Sequence, residues 1–424
     1  MPTRPRHLGL FDVVCIGING IIGTGIFTLP GRLAGHLGAA AWVAFAIVGV
    51  LLVAVALCFA EVSSMFRRNG GPYLYARAAF GAPAGFCVGW ICWVTMILGW
   101  SAVASGMLGY VAQFSPALAD GASGGGLIVG LIAVLATINI LGIKPGAWTT
   151  NVFTIAKLLP LLLFVAVGAV HVRAENLDPL WPSSTQGLGP AIFIALFTLG
   201  GFENTPVPAG ETARPERHMP VAMIGALLGA AALYVAVQIV AAGTLPGLAG
   251  SDKPLADAAA TFLGPTGAAL MAAGALVSMT GFTAGSALLT PRYLQALADD
   301  GLLPAMLGRL HRRFATPHIA IGLSAGLVMV CTQTLDFDRL VDLSVVAVLV
   351  QYLATCVAIP VLRRKQPLEP RTWRLRGGPI IPGVGVLVAL LFVAQSRVAD
   401  WLFAGAALAV GVLIALASRA VGRH

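Results

Sequence analysis

The stretch Gly17-Ile18-Asn19-Gly20-Ile21-Ile22-Gly23-Thr24-Gly25-Ile26-Phe27 lies inside the first long apolar segment of the chain. Gly17, Gly20, Gly23 and Gly25 make a poor unbroken helix, because each glycine costs about 1 kcal/mol relative to alanine. In a bilayer a helix normally keeps its backbone bonds, since freed amides and carbonyls find no water there. Backbone that lines a cavity or holds a ligand is the exception. The stretch therefore predicts a helix broken near mid-membrane, with its amides free to hold something. The alternative is that these glycines serve close helix packing, as in small-xxx-small motifs.

Composition sets the class. Of 424 residues, 58% are hydrophobic and only 10% charged, with a mean hydropathy of +0.88; a soluble domain carries about 25% charge. This is an all-α polytopic membrane protein, and its 51 glycines and 26 prolines suit packed, interrupted membrane helices. Arg4, Arg6 and His7 precede an apolar segment too long and too glycine-broken for a signal-peptide core. The six cysteines lie in or beside apolar segments without a CxxC pair, and the seven histidines fall near loops or termini. Neither pattern suggests a disulfide framework or a metal site, and no cofactor is expected.

With roughly 20 apolar residues per span, twelve transmembrane helices are expected: Leu8–Ala34, Ala40–Phe66, Gly85–Phe114, Gly126–Leu141, Trp148–Val170, Pro190–Ala209, Met219–Thr244, Gly267–Thr290, His318–Thr334, Leu340–Leu362, Ile380–Gln395 and Ala399–Ser418. The gaps, the longest being Asp299–Pro317 and Arg363–Pro379, leave no room for a soluble domain. With the N-terminus inside, twenty lysines and arginines fall in inner loops and termini and five in outer loops, while Lys157 sits within a span. The positive-inside rule then puts both termini in the cytoplasm of a cell membrane. The formal charge of +9 belongs to the membrane surface, and no nucleic-acid partner is expected. A second glycine break, Phe197-Thr198-Leu199-Gly200-Gly201-Phe202-Glu203-Asn204, falls five spans after the first. An odd offset inverts the second copy, and paired interruptions in inverted halves point to a transporter's binding site.

Six blocks now bear on identity: Gly20–Phe27; Glu61 followed by Gly70-Gly71-Pro72-Tyr73-Leu74-Tyr75-Ala76-Arg77 and Phe80-Gly81; Lys157-Leu158-Leu159-Pro160; Gly201-Phe202-Glu203; Glu211 to Pro220; and Ala298-Asp299-Asp300-Gly301-Leu302-Leu303-Pro304. In order and spacing they resemble the amino acid–polyamine–organocation (APC) family of permeases over nearly the whole chain. The resemblance implies a LeuT-like fold in a single transporter domain, residues 1–424. Two inverted five-helix repeats (8–172 and 188–363) would be joined by two peripheral helices (379–418).

An α-amino acid presents a carboxylate and an ammonium. The helix restarting after the first break points its N-terminus, with about half a positive charge, into the site. Amides of Gly23, Thr24 and Gly25 and the Thr24 hydroxyl are candidate carboxylate donors. The helix ending near Phe197–Gly200 leaves carbonyls that suit an ammonium, and the family assigns the same roles to matching positions. Candidate substrate residues are Asn19, Gly20, Ile22, Gly23, Thr24 and Gly25 on the first break, and Phe197, Thr198, Gly200, Gly201 and Phe202 on the second. Thr95, Met96 and Trp100 of the third span are candidates for the side-chain pocket. Phe197 and Phe202 flank the second break; each is either ordinary packing or the family's aromatic gate, for which register favours Phe197.

Two charges lie within spans. Lys157 stands near mid-span, where a charge costs at least roughly 2.5–3.5 kcal/mol on insertion scales. Burial disfavours an ammonium without a counter-charge, which makes Lys157 a candidate proton-exchanging group. In proton-coupled relatives a matching lysine places its ammonium where sodium-driven members bind sodium. The alternative is a structural tether to a carbonyl, or a snorkelling side chain. Glu203 resembles the acidic position of the family's basic-amino-acid and polyamine antiporters. It either binds a cationic substrate, takes part in proton coupling or gating, or serves only to cap the following half-helix or pair with a nearby donor. Glu61 with Arg67, Arg68 and Arg77 is either an inner gate network or a solvated face. The expected function is a secondary active amino acid permease, sodium-independent and proton-coupled, whose partners are an amino acid substrate, protons and the lipid bilayer. The alternative is an amino acid/polyamine antiporter. No Walker sequence, catalytic cluster or signalling domain supports a pump, an enzyme or a sensor.

Overall fold

The computed structural model describes residues 7–182, 184–368, 370–376 and 378–421; Arg4, Arg6 and Arg423 of the charge count lie outside these. Fifteen α-helices form among the described residues, and no strand: α1 (Leu10–Ile21), α2 (Gly25–Leu37), α3 (Trp42–Ser63), α4 (Pro72–Phe80), α5 (Ala82–Phe114), the single turn α6 (Pro116–Ala119), α7 (Gly121–Ile140), α8 (Ile143–Gly168), α9 (Leu188–Leu199), α10 (Pro215–Thr244), α11 (Pro254–Asp299), α12 (His318–Thr334), α13 (Phe337–Lys365), α14 (Ile380–Val393) and α15 (Val398–Val421). By length and composition, eight segments can cross a bilayer, the first being the run Leu10–Ser63, and three shorter apolar helices accompany them. The outward faces are apolar: Val50, Trp148, Leu159 and Val398 are all more than 60% exposed. Such surface suits acyl chains, not water.

Chain punctuation shapes these helices. The first apolar segment stops at Ile21 and restarts at Gly25, as its glycines predict. Pro72 opens α4. Gly264 adopts φ +64° and kinks α11, which starts well before the span expected at Gly267. The largest departure follows α9. Two half-helices were expected in that span, but after Leu199 the chain makes only 3-10 turns (Phe202–Asn204 and Ala209–Glu211) until α10. Pro206 and Pro208 are the reason, since proline removes a backbone donor and clashes with the preceding turn.

The interrupted elements occupy the centre. Helix α1 packs on α8, α10 and α11, while α2 packs on α9 and α11; α5 lies against α11 and α13. Outside them, α14 rests on α3 and α13, and α15 on α5 and α13, where Trp90 Nε1 donates to Ala407 O (2.8 Å). The two breaks touch. A Cβ on Gly201, whose φ is +114°, would lie 2.0 Å from Gly20 O, and one on Gly25 would lie 2.9 Å from Thr198 Cγ2.

Polar clusters gather at one end. Glu61 is buried, and its partners are not the neighbouring Arg67, Arg68 and Arg77. Arg363 donates to it from Nε (2.8 Å) and Nη2 (2.6 Å), and the Leu375 amide adds a third bond (2.9 Å). Arg67 pairs with Glu216 (3.5 Å) instead. Asp300 receives Arg68 Nη2 (2.9 Å), Tyr73 Oη (2.7 Å) and Arg77. Glu211 accepts Asn69 Nδ2 (3.0 Å) and Arg292 Nη2 (3.4 Å). Burial alone would raise the Asp300 carboxyl, but the bonds from Arg77, Arg68 and Tyr73 outweigh it and hold it below the usual carboxylate range.

A carboxyl depressed in the folded state stabilises above its ordinary range, and that contribution disappears as pH falls through the depressed value. Asp300→Asn is therefore expected to lower the melting temperature of the purified protein at neutral pH and to leave a smaller difference from wild type in strong acid, as a thermal-unfolding series against pH would show. Gly201→Ala is expected to cost more than about 3 kcal/mol, from overlap and a forced left-handed conformation. Gly229→Ala, at an exposed α10 position with open space around its Cβ, is expected to be neutral or to stabilise by about 0.5 kcal/mol. Detergent thermal-shift measurements on the two variants compare them directly.

Candidate functional site

A cavity of about 100 Å³ lies between the two breaks, enclosed by α1, α2, α5, α9, α11 and α13.

The first break supplies donors. Helix α1 ends with the Ile22 amide on Ile18 O (2.9 Å), and α2 begins with the Phe27 and Thr28 amides on Thr24 O (2.9 and 3.2 Å). The amides of Gly23, Thr24 and Gly25 find no backbone acceptor among the described residues, as at any helix start. The buried Thr24 hydroxyl has no partner among the described residues either. Opposite, α9 ends at Leu199, and the Gly200 amide still reaches back to Leu196 O (2.9 Å). The Gly201 amide instead turns to the Glu203 carboxylate, at 2.9 Å from Oε2 and 3.1 Å from Oε1, and so leaves Phe197 O without its helical donor.

Most candidates from the sequence meet here. Asn19, Gly20, Gly23, Thr24, Gly25, Thr95, Met96, Trp100, Phe197, Thr198, Gly200, Gly201 and Glu203 all line the cavity. Ile22, Phe202 and Lys157 do not. The Ile22 side chain is buried in the core, and its carbonyl faces away to Lys157. Phe202 is fully buried and stacks on Tyr352 at 5.6 Å with Phe59 edge-on at 6.0 Å, so of the two phenylalanines only Phe197 borders the cavity.

Lys157 projects from α8 to the back of the first break. Its Nζ, fully buried, donates to Ile22 O at 2.6 Å, and Ser278 Oγ of α11 reaches Ile22 O (3.2 Å) and Gly23 O (3.1 Å). The ammonium thus meets the negative end of α1. Glu203 is buried as well, with no cation on it; Tyr352 Oη (3.1 Å) and Asn204 Nδ2 (3.4 Å) join the Gly201 amide as its donors. Asn204 in turn accepts Tyr293 Oη (3.2 Å).

Several lining residues escaped the sequence reading: Ile16, Val103, Asn204, Phe282, Gly285, Ser286, Leu289, Ser344, Val345 and Val348. Those of α11 carried a signal, because Gly281 and Gly285 mark a face that meets another helix closely. A Cβ on Gly285 would lie 2.5 Å from Asn19 Nδ2. Those of α13 carried none.

Comparison with known proteins agrees in extent with this architecture. The family model described as amino acid permease matches residues 8–417. The branched-chain amino acid permease BcaP of Bacillus subtilis is 31% identical over 92% of this chain and 87% of its own length. The methylthioribose transporter of the same organism is 28% identical, covering 96% and 92%. Its serine/threonine exchanger SteT is 27% identical, covering 96% and 94%. With that match running nearly from end to end of a multi-pass helical protein, the chain belongs to the amino acid permease family of membrane transporters.

Proposed function

We propose that this protein is a secondary active permease for α-amino acids that works by alternating access, in a cell membrane, with both termini cytoplasmic. The observation that carries this reading is the pairing of opposite backbone ends across one cavity. Unpaired amides of Gly23–Gly25 with the Thr24 hydroxyl face the carbonyl end of α9. One side suits a carboxylate and the other an ammonium, which are the parts every α-amino acid shares. The amino acid permease among the relatives supports the same substrate class. The contact between the breaks of α1/α2 and α9 also favours the architecture of twelve spans in two inverted repeats, 8–172 and 188–363, with 379–418 outside them.

Coupling follows from Lys157. Its ammonium donates to Ile22 O, which Ser278 Oγ also reaches, and the family resemblance implies that such a lysine stands where sodium-driven members bind sodium. Transport is then sodium-independent, and a proton on Lys157 is the coupling charge. An exchange mode is the second reading, favoured by the likeness to a serine/threonine exchanger; exchange without net uptake would establish it.

In proteoliposomes, amino acid uptake is expected to respond to an imposed pH gradient and to ignore sodium. Lys157→Gln is expected to abolish the pH-driven part; unchanged pH dependence would sink the proton role. Thr24→Val, which keeps the shape and loses the hydroxyl, is expected to raise KM about tenfold for every substrate alike, as the loss of a hydrogen bond to a charged group does. Steady-state uptake kinetics for several amino acids check that uniformity.

A further inference from the structure

The side-chain end of the cavity has its own chemistry, and it narrows the substrate. We propose that the transported amino acid carries an uncharged, apolar side chain of about valine-to-methionine size. This rests on the amino acid reading above and adds to it a prediction about which side chains are refused.

Charge is the first argument. Glu203 is the sole ionisable side chain lining the cavity among the described residues. Both of its oxygens are engaged, by the Gly201 amide, Tyr352 Oη and Asn204 Nδ2. A substrate ammonium or guanidinium at the side-chain end would have to displace these donors, and Gly201 holds its turn through one of them. No lysine, arginine or histidine lines the cavity to receive a side-chain carboxylate. A side-chain carboxylate brought into such a site stays unpaired, and a side-chain ammonium reaches Glu203 only in competition with the bonds that hold the Gly201 turn.

Hydroxyl groups give the second argument. Thr95 Oγ1 donates to Ile91 O (2.7 Å), Thr198 Oγ1 to Ile194 O (3.1 Å) and Ser344 Oγ to Val341 O (2.8 Å). These three donors are spent on their own helices, whereas Thr24 Oγ1, Asn19 Oδ1 and Trp100 Nε1 are the lining side-chain atoms without a partner among the described residues. The wall beyond the breaks is Met96, Val103, Phe282, Leu289, Val345 and Val348. It offers dispersion contacts and desolvation, which reward apolar surface. A cavity of about 100 Å³ favours side chains of valine-to-methionine size over the larger tryptophan.

The test uses the full-length protein in liposomes, with counterflow of labelled L-leucine, L-serine, L-lysine and L-glutamate each measured separately. L-Leucine counterflow is expected, with L-isoleucine, L-valine and L-methionine competing, and with L-lysine, L-glutamate, L-serine and L-tryptophan weaker by about tenfold or more. If L-lysine, L-glutamate or L-serine exchanges as well as L-leucine, the side-chain inference is overturned while the amino acid reading stands. If no amino acid exchanges and methylthioribose does, the amino acid reading itself fails. Val348→Ala enlarges the wall, and its ratio of L-phenylalanine to L-leucine inhibition is expected to rise about threefold or more, within the effect of a methylene or two. An unchanged ratio in folded Val348→Ala protein, with folding checked by thermal shift, overturns the assignment of α13 to the side-chain pocket.

Discussion

The bond from Lys157 Nζ to Ile22 O, 2.6 Å long and wholly buried, answers the constraint on which the rest of this structure depends. Ending a helix inside an apolar molecule strands carbonyls that no water can reach, and each stranded group costs several kcal/mol in hydrocarbon. A cation on the carbonyl end of α1 meets that cost and matches the helix dipole. To deliver it, α8 must cross behind the break at its midpoint, and α11 must come close enough for Ser278 to add its hydroxyl. That approach explains Gly281, where a Cβ would sit 2.7 Å from Phe153 Cβ and 3.1 Å from Lys157 Cε. Gly274 permits the same closeness about two turns earlier, against Pro160.

The second break solves the mirror-image problem with the opposite charge. There the stranded group that a side chain meets is an amide, Gly201 N, and the side chain is the carboxylate of Glu203. Each break therefore has one end closed from within the protein and the other left open to the cavity. At the first break a cation closes the carbonyl end and the amides remain; at the second an anion closes the amide and the carbonyls remain. The cavity between them thus has backbone donors on one side and a helix's carbonyl end on the other, with Glu203 as the one ionisable side chain on its lining among the described residues.

What the sequence revealed and what it hid divide along physical lines. Four glycines in nine residues and a lysine in an apolar run are anomalies against their surroundings, so the first break and Lys157 stood out. Gly200-Gly201 stood out for the same reason. Pro206 and Pro208 were equally visible and forbade the second half-helix that the paired-break analogy suggested. Phe197 and Phe202 could not be told apart, because the left-handed turn at Gly201 decides which ring enters the cavity and which joins Phe59 and Tyr352. Glu61 misled through proximity: its partner Arg363 lies 302 residues away, whereas the arginines nearby pair elsewhere. Val345 and Val348 were illegible because an apolar residue facing a cavity looks like one facing lipid.

Contacts at two levels join the interrupted elements into one unit. Near the middle Gly20 meets Gly201, and Gly25 meets Thr198. At the end holding Glu61, the amides of His7 and Leu8 donate to Glu211 O (both 3.0 Å), and the Ala213 amide donates to Leu8 O (2.8 Å). The start of α1 is thereby strapped to the chain that follows the second break. A separate set of bonds ties the surrounding helices at this end: Glu61 of α3 to Arg363 of α13, Lys365 of α13 to Ala79 O of α4, and Arg77 of α4 to Asp300 just beyond α11. Glu211 bridges the two sets through Asn69 and Arg292. The two sets thus divide the molecule into a unit carrying both breaks and the helices around it. The bonds through Glu211 are few and polar, so they can be exchanged for water at that surface, whereas the glycine contacts at the centre have no such substitute.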